Sequence, residues 1–170
     1  MFDLLKESHA ILQITPLHWN NLVKTLSPEL LNRPPAEGEW SVVKCLQHLV
    51  DTEKWVFPLR VEAFLAGEDF PAFDPDTQGG LHGEGTAEEL AAEFADLRKK
   101  SLVLIESLTP ADLERTATHS ALGTVTLGEM IHEWAGHDLN HLVQAERALM
   151  QPFIAGCGPW QVYFEDHLIK

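Results

Sequence analysis

Four long stretches of this sequence repeat apolar residues at the 3.6-residue spacing of a helix, and no stretch alternates apolar and polar residues convincingly as a strand does. The first runs from about Phe2 to Leu26. Pro16 lies inside it, removes a backbone donor and crowds the preceding turn, so a kink or restart is expected there. The second opens on Ser41 as N-cap and runs to about Gly67. It lacks a full capping box because Lys44 stands at N3, and Pro58 is expected to bend it. The third opens on the capping box Thr86-Ala87-Glu88-Glu89 and runs to about Leu108. The fourth opens on a second capping box, Thr126-Leu127-Gly128-Glu129, and is expected to end at Gln151-Pro152.

The segments between are rich in breakers: SPELLNRPPAEGE, then GEDFPAFDPDTQGGLHGEG, then a short extra turn at Thr109-Pro110. Connections of about 15–20 residues favour a four-helix bundle with crossovers over a plain up-and-down one. The fold expected is therefore all-α, a four-helix bundle with long crossover loops, with residues 1–170 forming one domain. The aromatic tail PFIAGCGPWQVYFEDHLIK is expected to pack on the body.

Charge and cysteine usage narrow the partners. A formal net charge of −14 over 170 residues repels phosphate backbones and anionic lipids, which excludes nucleic acid and membrane surfaces as natural partners. No apolar run is long enough to span a bilayer, and MFDLLKESHA lacks the pattern of a signal peptide. Cys45 and Cys157 form no CxxC, so two free thiols in a cytoplasmic chain are expected.

The chemistry concentrates in EMIHEWAGHDLNHLVQ, Glu129 to Gln144. HEWAGH suggests a zinc-protease motif but fails its geometry: that motif needs histidines at i and i+4, and His132 and His137 are five apart, about 140° around a helix. On the wheel, Leu127, Met130, Ile131, Trp134, Leu142, Ala145, Ala148 and Leu149 define one apolar face. His137 and His141 fall on it, one turn apart, while His132 falls opposite with Glu133, Glu146 and Arg147. Two readings fit an inward HxxxH pair: hydrogen-bonded core histidines, or two ligands of a metal.

A metal needs a further ligand, and the second helix offers one. Its main apolar stripe is Val42, Val43, Leu46, Leu49, Val50, Phe57, Val61 and Phe64. A second stripe holds Cys45, His48, Thr52, Trp55 and Leu59. His48 on that stripe could complete a metal site, or the stripe could be a dimer interface. His9, His18, His82, His119 and His167 have no partner at ligand spacing and read as surface or loop residues. Asp74 to Asp76 read as a solvated turn, Cys45 as a small core residue, and no phosphate loop or nucleophile elbow is present.

EWSVVKCLQHLVDTE, TAEELAAEFADLRKKSLVLIESLTPADLERTATH and LGTVTLGEMIHEWAGHDLNHLVQAERAL together resemble the DinB-like (DinB/YfiT) superfamily, from about Leu26 to Met150. The family is distinct from the translesion polymerase of similar name. The resemblance implies a homodimeric four-helix bundle with a divalent metal on three histidines, which by position are His48, His137 and His141. It implies zinc as the preferred ion, with nickel, manganese or iron as others that imidazole suits. Characterised relatives act with low-molecular-weight thiols (bacillithiol, mycothiol or glutathione). The function implied is a metal-dependent thiol S-transferase or hydrolase acting on a small molecule; the alternative is a non-catalytic, stress-related helical dimer that binds metal or ligand. Asp138, Asn140 and Gln144 flank the expected ligands, Asp51 and Glu53 sit near His48, and Thr52 and Trp55 are candidates to line a cavity.

Overall fold

The computed structural model describes residues 2–73 and 85–169. The expectations for His82 and for Asp74 to Asp76 lie outside those residues. Among the described residues there are six α-helices: α1 (Leu4–Thr25), α2 (Pro28–Asn32), α3 (Val42–Trp55), α4 (Phe57–Ala66), α5 (Ala87–Glu106) and α6 (Leu127–Gly156). Both expected capping boxes are formed. Thr86 and Glu89 satisfy each other's backbone at the start of α5, as do Thr126 and Glu129 at the start of α6.

Helix α1 packs on α5 and α6, and α3 packs on the same two. The order around the bundle is therefore α1, α5, α3, α6. Sequence neighbours α1 and α3 sit at opposite corners, as do α5 and α6, so these connections cross the bundle ends. This is a four-helix bundle with crossovers.

Three boundaries differ from expectation, each for a local reason. Helix α1 runs through Pro16 without restarting. Pro16 leaves the Leu12 carbonyl without its helical donor, and the Arg98 guanidinium replaces that donor through Nη1 at 2.9 Å. The second helical stretch is bent as expected, but the bend is a break at Val56 (φ −121°, ψ −78°) between α3 and α4. Helix α6 continues past Pro152 to Gly156. Proline there removes one bond near the helix end, and the extra turn buries Ile154.

A small antiparallel hairpin, β1 (Thr116–His119) with β2 (Gly123–Thr126), joins α5 to α6. Its strands are too short and too polar to show an apolar alternation, which is why the sequence does not reveal them. Gly123 turns the hairpin at φ +79°. The chain after α4 docks on β1: Phe70 N–H donates to Thr118 O (3.2 Å), and Thr118 N–H donates to Asp69 Oδ1 (2.7 Å). That docking brings Phe70 against the His119 ring. The tail forms a 3-10 segment, Gly158–His167, fastened to α6 through Gln151, which donates to His167 O and accepts from Ile169 N–H. Its aromatic residues do not pack as expected: Trp160 and Tyr163 are exposed.

The core is two apolar clusters. Trp19, Leu46, Leu49, Phe94 and Leu142 lie in one; Leu12, Phe57, Phe64, Ile131 and Trp134 lie in the other. A buried polar group made by all four long helices also lies in the interior. Arg98 of α5 is 1% exposed and uses all five guanidinium N–H donors. Nε and Nη2 donate to the two oxygens of Glu53 on α3, both at 2.8 Å. Nη1 donates to Asp138 Oδ2 on α6 (2.7 Å) and to Leu12 O on α1, while Nη2 also reaches Asp138 Oδ1 (3.1 Å). Thr15 donates to Asp138 (2.6 Å), and Trp134 Nε1–H donates to Glu53 (3.3 Å). Burial opposes the arginine's charge, but Asp138 and Glu53 more than offset it, and its pKa lies above the ordinary value.

Removing one member of such a group leaves buried charge uncompensated. Arg98→Met should therefore destabilise the fold by about 3–5 kcal/mol, read from urea unfolding midpoints at constant slope. A loss below about 1 kcal/mol would show that the group does not hold the helices together.

Candidate metal centre

Helices α3 and α6 meet beside this polar group, and their packing brings together three histidines. A ligand nitrogen from each of His48, His137 and His141 lies within 4.8 Å of those of the other two. The Nε2 atoms of His48 and His137 are 3.0 Å apart, close to the spacing of about 3.3 Å that a tetrahedral ion with bonds near 2.0–2.1 Å imposes. His132 points away and is exposed, with Phe2 stacked on its ring.

Of the two readings open for the HxxxH pair, His137 distinguishes them. Its Nδ1 is buried without a hydrogen-bond partner among the described residues, and its Nε2 meets only another imidazole. That is not a hydrogen-bonded core histidine. His141 is oriented from behind: its Nδ1 lies 2.9 Å from Gln144 Oε1, which places the proton on Nδ1 and leaves Nε2 free as a donor atom. Aromatic rings hold the cluster in place. Trp40 stacks on His141 and tilts against His48, and the edge of Phe57 meets His137.

All three imidazoles stay neutral at neutral pH, the state a metal ligand needs. Burial pushes His137 down to about 2, helped by the neighbouring His141 and His48 and by Arg98 and Arg60. Burial lowers His48 to about 4, with His141 and Lys44 adding. His141 is also lowered by burial, partly offset by Gln144 and Asp138.

His48 and His137 lie in the wall of a cavity of about 440 Å³, a size suited to a small molecule. Thr52 lines it as expected, although its hydroxyl donates back to His48 O and Leu49 O. Trp55 does not line it and is exposed. Asp138, which flanks the expected ligands, and Glu53, near His48 in sequence, are bonded to Arg98. Asn140 is exposed.

Besides Glu129, foreseen only as a helix cap, sequence reasoning missed three polar residues of the cavity among the described residues. Arg60 comes from α4, His119 from β1 and Glu133 from α6. Glu133 was grouped with His132 on the polar face, yet it stands four residues before His137 and so shares its side of the helix. That spacing was a usable signal. His119 was read as a surface residue but is buried; nothing local in the sequence marks it, because its burial depends on Phe70 docking. Cys45 is buried with its thiol pushed up to about 12 by desolvation, which keeps it unreactive as expected. Both cysteines are free. Among the described residues, no helix is long and apolar enough to cross a membrane.

Comparison with known proteins places these features in a wider group. The model of the DinB superfamily matches residues 12–145. A protein of Oceanobacillus iheyensis named "Putative metal-dependent hydrolase OB0782" is 26% identical over 125 residues, covering 72% of each chain. A protein of Bacillus mycoides named "Putative metal-dependent hydrolase BcerKBAB4_2443" is 28% identical over 123 residues, covering 70% of each. Among solved structures, YfiT from Bacillus subtilis superposes with a TM-score of 0.75 at 18% identity, covering 88% of this chain and 87% of its own. It is described as a probable metal-dependent hydrolase with an unusual four-helix bundle topology.

The lowered histidine pKa values make a prediction about pH. Between the ordinary value near 6.5 and the folded values near 4 and below, the unfolded chain binds more protons than the folded one. The stability of the metal-free protein therefore falls as pH drops through that window. The expected slope is about 1.4 kcal/mol per pH unit for each such histidine. Urea midpoints near pH 7 and near pH 5 measure it, and the slope should flatten in His137→Ala. An equal slope in that variant would contradict the assignment.

Proposed function

The chain belongs to the DinB superfamily, and from that premise we propose that it is a metal-dependent hydrolase of a small molecule, with its divalent ion held by His48, His137 and His141. The observation that carries this reading is the convergence of three neutral imidazoles, two of them in the wall of an apolar cavity, with His137 having no other polar partner among the described residues. The names of the relatives agree with it. Three nitrogen donors suit zinc with a position left open, and zinc is the ion we propose. Such an ion supplies Lewis acidity and makes water a nucleophile near neutral pH.

The chain's own residues divide the remaining work. Among the described residues two carboxylates line the cavity, and one of them is free to move a proton. Glu129 is committed to its helix cap, where Thr126 N–H and hydroxyl donate to it and hold its pKa down. Glu133 has no cap to serve, and burial pushes its carboxyl up despite Arg60 nearby. A carboxylate of raised pKa in the same cavity wall as His48 and His137 is suited to accept a proton from the attacking water and return it to the leaving group. Phe57, Phe70 and Met130 form dry walls that strengthen electrostatic effects inside.

Elemental analysis of the purified, zinc-reconstituted protein tests the reading together with an ester and amide hydrolysis screen. Wild type should carry one divalent ion per chain, and His48→Ala, His137→Ala and His141→Ala should each lose it. Glu133→Gln should keep the ion while losing hydrolysis by about 10²–10⁴-fold. A wild type that holds no metal after reconstitution would sink the proposal.

A further inference from the structure

The cavity holds a second convergence of polar groups apart from the histidine cluster. It is set by a tautomer. His119 Nδ1 accepts two backbone N–H bonds, from Ala121 (3.1 Å) and Leu122 (3.2 Å). A nitrogen that accepts cannot carry the proton, so the neutral ring must carry it on Nε2. Yet Nε2 faces Nη2 of Arg60 at 3.5 Å. Guanidinium nitrogens only donate. Two donors therefore face one another with no acceptor between them among the described residues.

Both groups are set deep in the cavity wall. The Arg60 side chain is 13% exposed, with its guanidinium over the Phe70 ring, and His119 is 9% exposed with its ring against the same phenylalanine. The one carboxylate paired with Arg60 among the described residues is Glu133, at 4.0 Å, the outer limit of an ion pair, and that side chain is half exposed. Glu129, the other carboxylate of the wall among the described residues, is held in its cap. The arginine thus keeps unused donors in a poorly solvated place, beside an N–H that cannot turn away.

We infer that Arg60 and the Nε2–H of His119 form a carboxylate-binding subsite, so that the substrate is an anion with an apolar body. A planar carboxylate fits between a guanidinium edge and a ring N–H, taking charge-assisted bonds from both. Phe57, Phe70, Phe73, Leu122 and Met130 line the same cavity and suit an aliphatic or aromatic body. The inference gives the substrate class of the proposed hydrolase and takes the cavity as its active site: one end of the substrate at Arg60 and His119, the bond to be broken towards His48 and His137. It also accounts for an anion receptor in a chain of net charge −14, whose surface otherwise repels anions.

The test uses benzoate and its neutral isostere benzamide, titrated calorimetrically into the full-length protein stripped of metal. Without metal, benzoate cannot bind to an ion. Benzoate should bind at least about tenfold more tightly than benzamide, and Arg60→Gln should abolish that preference. Nitrogen-15 spectra of wild type should show His119 as the Nε2–H tautomer, with that proton shifting on addition of benzoate but not of benzamide. This readout stands even if the arginine variant folds poorly. Equal affinities, no saturable benzoate binding, a preference that survives in Arg60→Gln, or His119 as the Nδ1–H tautomer would each overturn the subsite. A chain that prefers benzoate yet holds no zinc after reconstitution would sink the hydrolase and keep the subsite. A zinc-loaded hydrolase without the preference would do the reverse.

Discussion

A single guanidinium sets how the helices of this bundle meet. Arg98 reaches across from α5 and bonds to each of the other three long helices: to Leu12 O and the Thr15 hydroxyl on α1, Glu53 on α3 and Asp138 on α6. Apolar packing alone tolerates some sliding of helices, because it is non-directional. Five directed N–H bonds do not tolerate it, since any slip leaves a buried donor or carboxylate oxygen unsatisfied. The group also settles a local defect. The carbonyl that Pro16 leaves without a donor accepts from the same arginine, so the proline that should interrupt α1 becomes part of what ties α1 to the centre.

The histidine cluster inherits this alignment. Asp138 is the residue after His137, and Glu53 lies five residues after His48 on the same helix. Fixing those two carboxylates on one arginine fixes α3 against α6 where the three imidazoles face each other. Arg98 acts on the cluster electrostatically as well, since its charge is among the causes that keep His137 neutral. The carboxylates next to the histidines therefore serve the site without touching it, and orientation of His141 falls to Gln144.

The parts of this design that depend on local sequence were legible in it. Both capping boxes, the break near Pro58, the inward face of the last helix and the outward turn of His132 follow from helical spacing and cap chemistry. The crossover topology followed from loop length. What could not be read depends on partners distant along the chain. A buried carboxylate such as Asp138 carries no mark of the arginine it pairs with, forty residues away on another helix. Pro16 reads as a breaker until that arginine is in place. His119 reads as a loop residue because its strand has four residues and its burial comes from Phe70, across a turn of chain from α4. Trp55 and Leu59 shared the apolar stripe of His48 but are exposed, because the break at Val56 ends the stripe's burial. Only Glu133 was missed despite a usable local signal.

The proposed function rests on three imidazoles sharing one ion at the junction of α3 and α6. Zinc K-edge X-ray absorption of the zinc-loaded protein tests this most directly. Three imidazole nitrogens at about 2.0–2.1 Å are expected, with one light-atom donor completing the shell, and two in any His48→Ala protein that retains zinc. A wild-type shell with fewer than two imidazoles, or one containing sulfur at about 2.3 Å, would place the ion elsewhere and contradict it.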